Sequence, residues 1–482
     1  MRKFGISILA TVALCLALAT PAFAITTGVT GYVRDINSKA FISGATITQG
    51  AAKVKSNAHG AYTLAKGAGR YQLTIARSGY LKTYRVVTVV KGKKSRVDWF
   101  LTKSYPANAV PNKGLTILAW NDLGMHCDQD SYKYMCILPP YNTLHVQLFS
   151  GEGAAPRNVT VSYSFPNKTN SALHTDFWTY AKEFDPSWSS TPNVGISGTE
   201  LSGTMKRDAA GKGWVVEGIP VTPYDDNGTW DPYGAAVITV RNSSGTVLGS
   251  SSVVTPVSTE MTCQNCHTGS NADQVAQSIL TAHDSAQGTT LLSDANAGHP
   301  HACFECHADN ALGKAGKPGI PSLSVAMHKQ HDGKVPNTTA GCSNCHPGPK
   351  TKCLRGIMER AGQTCVSCHG TMSKMWISAS SGRRPWLDEP KCSSCHGTKY
   401  AENTSTLYRN SVLKNSLEGD MNNKVYCEAC HNGTHAEYVS RNAADAVVPK
   451  TFQGNGYWIY NCAVCHKSGD GDYRFRGQSM HR

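Results

Sequence analysis

The sequence predicts a multidomain chain: two N-terminal all-β sandwich domains, then a loop-rich, short-helix region organised around its cysteines. Three observations carry this. Period-two alternation fills residues 25–258, and glycine-bearing turns break it at short intervals. From Cys263 onward the strand patterns vanish and cysteines recur regularly, which is an internal repeat. The length of 482 residues suits about three domains. With 40% hydrophobic and 17% charged residues, a mostly disordered chain is excluded. Eighteen cysteines exceed what a cytosolic enzyme carries without a metal or cofactor role.

Residues 1–24 read as a signal peptide. Arg2 and Lys3 precede the apolar run Ile6 to Leu18, and Ala22-Phe23-Ala24 is a small-x-small cleavage site. No other stretch approaches 18 consecutive apolar residues. The expectation is export through a Sec-type route to the periplasm, outer surface or extracellular space.

Residues 25–104 hold the first sandwich. Its strands are expected at Gly31-Tyr32-Val33-Arg34-Asp35, Gly44-Ala45-Thr46-Ile47-Thr48, Ala61-Tyr62-Thr63-Leu64, Tyr71-Gln72-Leu73-Thr74-Ile75 and Arg85-Val86-Val87-Thr88-Val89-Val90. With Gly69-Arg70 and Gly79-Tyr80, these residues resemble the carboxypeptidase regulatory-like (transthyretin-like) domain. The resemblance covers about 75 residues and implies an accessory module without catalytic residues. Ser104 to Gly114, with two prolines, reads as a linker. Residues 105–258 form the second β-rich domain, with strands expected at Leu115–Trp120, Leu144–Leu148, Val159–Phe165, Trp214–Pro220, Ala235–Val240 and Val247–Val257.

Residues 259–482 contain seven copies of Cys-x-x-Cys-His. They are Cys263-Cys266-His267, Cys303-Cys306-His307, Cys342-Cys345-His346, Cys365-Cys368-His369, Cys392-Cys395-His396, Cys427-Cys430-His431 and Cys462-Cys465-His466. Two thiols three residues apart reach the two vinyl groups of one porphyrin edge, and the next residue turns its imidazole onto the iron. Zinc or redox Cys-x-x-Cys pairs do not account for a histidine after every one of the seven. Seven covalently attached haem c groups are therefore expected. Too little apolar side chain lies between the motifs for an ordinary core, so this becomes a multihaem cytochrome domain packed around stacked haems. The motifs resemble the multihaem c-type cytochromes of periplasms and outer surfaces in metal-reducing and anaerobic bacteria. That resemblance implies closely packed haems, mostly with a histidine on both faces of each iron.

Distal ligands must come from histidines outside the motifs. His328 and His331, in Met-His-Lys-Gln-His, share one helical face and can serve two different haems. His283, His301 and His435 lie in short segments between motifs. His299 stands two residues from His301, so one of them is spare. His481 lies one residue from the end, and His126 far upstream would clamp the β domain onto the haems. His145, His59 and His174 read as structural or exposed. Met358, Met372 and Met375 fall where spare histidines are lacking; packing against a macrocycle is their first reading, and a Met/His haem of higher potential the second. Of the remaining cysteines, Cys127 and Cys136 are candidates for a local disulfide. A bridge from Cys353 to either, and a long-spaced haem attachment through Cys353, are the alternatives.

The function expected is electron relay, because a bis-His haem has no open coordination position. Electrons would pass from a periplasmic or outer-membrane donor to redox partner proteins, other cytochromes, or an external metal or electrode-like acceptor. The alternatives are a multihaem reductase with one open-site haem and a subunit of a self-associating extracellular cytochrome filament. No catalytic constellation is recognisable in the β domains. The formal charge of +14 does not indicate nucleic acid, for which there is no motif. Residues 25–102 carry thirteen Lys and Arg against two acids, a net +11; residues 103–260 carry −4 and residues 261–482 carry +5. Each ferric haem with ionised propionates brings about −1 and offsets that last value. The true positive field belongs to the first domain, around Lys91, Lys93, Lys94 and Arg96. That field suits an anionic cell-surface polysaccharide or a plain solvated face.

Overall fold

The structure, a computed structural model, describes residues 27–35, 39–80, 83–101, 114–150, 158–396, 401–403, 411–413 and 425–465. The expected signal peptide and the candidate ligands His466 and His481 lie outside these residues. The chain divides into two compact units, residues 1–105 and 106–482.

The first unit is a two-sheet β-sandwich. Its strands are β1 (Gly28–Asp35), β2 (Thr46–Gln49), β3 (Ala52–Lys55), β4 (Ala61–Ala65), β5 (Gly69–Ala76), β6 (Thr83–Val89), β7 (Lys94–Arg96) and β8 (Trp99–Leu101). One sheet runs β4-β1-β7 with β8 also on β1; the other runs β3-β2-β5-β6. Alternation decides which residues face inward. Val29 and Val33 of β1 meet Ile47, Leu73, Ile75 and Trp99 in a core from both sheets. Gly31 is required because a Cβ there would meet the Val97 carbonyl at 2.0 Å. Leu73 is fully buried, so Leu73→Ala is expected to cost this unit about 2–5 kcal/mol. Denaturant unfolding followed by far-UV circular dichroism should show the loss.

The second unit begins with β9 (Leu115–Asn121), β10 (His126–Cys127), β11 (Met135–Cys136), β12 (Thr143–Ser150) and β13 (Val159–Ser164), followed by α1 (Phe177–Phe184). Then come β14 (Ser202–Thr204), β15 (Lys206–Arg207), β16 (Trp214–Glu217), β17 (Ala235–Asn242), β18 (Val247–Val254) and β19 (Val257–Ser258). Sheets β15-β16-β12-β9 and β14-β13-β17-β18 form the second sandwich. Beyond it lie α2 (Ala272–Gln287), α3 (Leu291–Asn296), β20 (His301–Ala302), α4 (Leu323–His331), α5 (Thr339–Cys342), α6 (Ile357–Arg360), α7 (Cys365–His369), α8 (Met372–Ser380), α9 (Cys392–His396), α10 (Cys427–His431) and α11 (Val447–Gln453). Among the described residues no helix is long and apolar enough to cross a membrane.

The sandwich and the motif region share their packing. Tyr426, Ala429, Val448, Ile459 and Val464 complete the core built by Trp120, Leu144, Ile238 and their neighbours. Short parallel pairings tie the segments further: β10 with β19, and β11 with β20. The stretch Glu305 to His396 is different, since only Val325 and Val335 are buried hydrophobic residues there.

Candidate haem sites

The first six motifs coil as single helical turns. The His267 amide donates to the Cys263 carbonyl at 2.8 Å, His307 to Cys303 at 2.9 Å and His346 to Cys342 at 3.0 Å. The fourth, fifth and sixth motifs are α7, α9 and α10 themselves. Thr338 and Thr364 cap the turns that carry the third and fourth motifs. A helical turn puts positions i, i+3 and i+4 on one side, so both thiols and the imidazole of a motif share a face.

Four motif imidazoles stand opposite a second imidazole. The ring centroids are 6.5 Å apart for His267 and His331, and 6.4 Å for His307 and His283. They are 6.3 Å apart for His346 and His328, and 6.1 Å for His369 and His435. An iron held between two imidazoles at about 2 Å per bond sets the centroids about 6.3 Å apart. Ring packing alone spreads over about 4.5–7 Å. The four values are compatible with an axial pair, and what sets these contacts apart from other ring pairs of the chain at similar distances is that both rings are imidazoles.

The second imidazoles are also oriented as ligands. His328 Nδ1–H donates to the Ser324 carbonyl at 2.7 Å, and His331 Nδ1–H to the Met327 carbonyl at 2.7 Å. His435 Nδ1–H donates to the Leu123 carbonyl at 2.9 Å. His283 Nδ1–H donates to Thr289 Oγ1 at 3.0 Å, whose hydroxyl donates to Asp284 at 2.6 Å. With Nδ1 protonated and held, Nε2 is the free donor, as in metal-bound histidines whose other nitrogen is fixed by a neighbour. Burial, reinforced by His328, His369 and His435, pushes the His346 imidazole down to about 4. Burial likewise lowers His267, His283, His328 and His369. Neutral imidazole is the ligating form. His435 goes the other way. Burial pulls it down, but Cys353, Glu437 and the Leu123 carbonyl outweigh this and lift it to about 9; ligating an iron would require that proton to leave.

Neighbouring motifs touch out of sequence order. Asn265 donates to Asn344 at 2.6 Å and Thr262 to the Ser343 carbonyl at 3.2 Å, setting the first motif beside the third. The Cys342 and Cys365 thiols are hydrogen-bonded, which joins the third to the fourth. The Cys427 and Cys392 thiols do the same for the sixth and fifth. His328 and His331, one turn apart on α4, therefore face the third and first motifs respectively. Sequence reasoning saw the shared helical face but not which motif each ring would meet.

Other expected ligands have other partners. His126 Nε2 bonds Asp122 at 2.7 Å in a buried pair, so it faces a carboxylate rather than a motif imidazole. His301 is held at both nitrogens, Nδ1 by Glu305 at 2.8 Å and Nε2 by Asp294 at 3.4 Å; the Glu305 hydrogen bond raises it. Pairing of β20 with β11 aims it there. His299 is exposed beside Glu183. The expected Cys127–Cys136 bridge is not formed, and both thiols are free. Their strands pair with different partners, β19 and β20, and Cys136 is buried with Ala302 and Phe304 instead. Cys353 Sγ lies 3.9 Å from His435 Nδ1. Trp458 stacks 6.4 Å from His431 at 25°, a neighbour no sequence pattern announced.

The donor set suits haem better than a bare ion. Among the described residues no three of His, Cys, Asp and Glu converge on a point that could hold a metal ion. A haem iron takes four nitrogens from its porphyrin and asks the protein for two ligands. The scarcity of buried apolar residues from Glu305 to His396 is the surface a macrocycle would cover.

Comparison with known proteins assigns the first unit. Residues 28–102 match the carboxypeptidase regulatory-like domain family, and the sandwich described above is that domain. No curated protein matches the chain. One similar solved structure is a type II cohesin–X-dockerin complex from Acetivibrio cellulolyticus, at 19% identity and a TM-score of 0.12. The match covers 17% of this chain and 55% of that one. Another is a DUF3823 family protein from Bacteroides ovatus, at 10% identity and a TM-score of 0.15, covering 48% of this chain and 99% of that one. Neither likeness bears on function.

Proposed function

We propose that the chain is an exported multihaem c-type cytochrome that relays electrons along covalently bound, mostly bis-His haems. The observation that carries the reading is the set of four motif imidazoles, each 6.1–6.5 Å from a second imidazole. The groups themselves would supply reversible one-electron chemistry. The protein's own residues attach them, fix the imidazole tautomers through backbone carbonyls, and exclude water. The contacts between motifs favour a spatial order in which the first neighbours the third and the third the fourth. Axial saturation leaves these irons without a position for substrate, so relay is favoured over reduction of a bound small molecule. Donors and acceptors would be other cytochromes, redox partner proteins or an external metal acceptor.

The intact mass of the mature protein, expressed with a c-type haem maturation system, tests this. Seven haem additions are expected, one per motif. A mass without haem, or with fewer than four, rejects the reading. Cyanide titration of the ferric protein separates relay from reductase. The haems of the first four motifs are expected to take up none, while stoichiometric binding to them would mark open irons.

A further inference from the structure

We infer that the outward face of the β4-β1-β7 sheet is a binding site for an acidic glycan, one that uses stacked aromatic rings and two guanidinium groups. This goes beyond the relay reading and gives a ligand class to the positive field of residues 25–102. Along β1 the inward residues Val29, Gly31 and Val33 are buried, which leaves Thr30, Tyr32 and Arg34 on the outer face. Arg34 lies over the Phe41 ring at 4.4 Å and the Tyr32 ring at 5.9 Å. Arg96 lies 5.6 Å over the other side of the same cluster, at Tyr32. Lys39 lies 5.0 Å over Phe100. The Tyr32 and Phe41 rings are 5.6 Å apart, and Phe41 is 45% exposed.

Charge on this face is unbalanced. Asp98 pairs with Arg96 at 3.0 Å, while Asp35, the only other acid of the unit, is buried. Residues 25–102 carry a net +11. An aromatic ring offers its face to the C–H side of a sugar, and an adjacent guanidinium matches a carboxylate with two parallel donors. Packing on a ring also holds the guanidinium in place before binding. A uronic-acid chain presents both features at each sugar. A lipid headgroup offers the charge but no flat sugar face for the rings to stack on.

The test uses the full-length holoprotein on polygalacturonate, with dextran and phosphatidylglycerol vesicles as comparators, at about 0.1 M salt so that distant charges are screened. Arg34→Gln with Arg96→Gln is expected to weaken polygalacturonate binding by at least about tenfold. Phe41→Ser should weaken it as well. Lys53→Gln with Lys55→Gln removes the same charge from exposed positions on the other sheet and should change binding by less than about threefold. Equal losses in the two double variants would show a general field and overturn the site. So would vesicle binding without polygalacturonate binding, or dextran bound as tightly as polygalacturonate. Haem content and the visible spectrum are read alongside. They stay unchanged in every variant if only docking is affected, which separates this site from the electron-relay reading.

Discussion

Replacing His328 and His331 together with alanine is expected to turn two of the seven proposed haems from six-coordinate low-spin to five-coordinate high-spin. Each ring lies opposite a motif imidazole, His346 at 6.3 Å and His267 at 6.5 Å. Each is tethered by its own helix, through Ser324 and Met327 carbonyls that fix Nε2 outward. Removing both leaves two irons with a single protein ligand, and cyanide should then bind with a stoichiometry of two. Electron paramagnetic resonance would show about two sevenths of the low-spin intensity lost. His299→Ala with His301→Ala is the matched control, because those rings contact Glu183, Asp294 and Glu305 rather than a motif histidine. A spectrum unchanged in the α4 variant, or a control that loses as much, would sink the axial assignment.

The largest stability effect is expected at Asp445. Its carboxylate accepts two hydrogen bonds from Arg355, at 2.8 Å and 2.7 Å, and also bonds Ser440. Both side chains are almost wholly buried, at 1% and 0% exposure, and the guanidinium also lies 5.1 Å over Tyr233. Asp445→Ala leaves that guanidinium buried without its counter-charge and should cost about 3–5 kcal/mol in denaturant unfolding of the holoprotein. Arg355→Met with Asp445→Leu should recover most of the loss, because burying neither charge avoids the desolvation penalty. A loss under about 1 kcal/mol would mean the pair is solvated. The Arg355 and Gly356 amides both donate to the His435 carbonyl at 2.8 Å, so loosening this loop should also move His435 away from His369 and, under the proposed reading, free one axial position of that haem.

The fold was legible where local patterning decides it. In β1 and β5 the alternation of small or apolar with polar residues names the inward face without reference to any partner. The helical turns of the motifs were equally legible, because they need only five consecutive residues. Which spare histidine meets a motif histidine was half legible. His328 and His331 declare themselves by their spacing, and His283 by its place between motifs. His301 has the same credentials, yet Glu305 four residues on and Asp294 take both its nitrogens. His126 is taken by Asp122, also four residues away. Histidine and carboxylate at that spacing compete with iron for the ring, a signal present in the sequence that spacing to the motifs alone passes over.

What the sequence by itself determined is confined to a few consecutive residues: the strand faces, the seven Cys-x-x-Cys-His motifs, and the concentration of positive charge in residues 25–102. What only the tertiary structure decided is which distant groups meet. It brings His435 from after the sixth motif to the fourth, sets the first motif against the third, and pairs Arg355 with Asp445 across 90 residues. It also separates Cys127 from Cys136, although they are only nine residues apart. The physical reason is common to all of these. Covalent spacing limits reach only within a turn or a hairpin, whereas a contact between remote residues is chosen by the packing of whole elements, which no local pattern encodes.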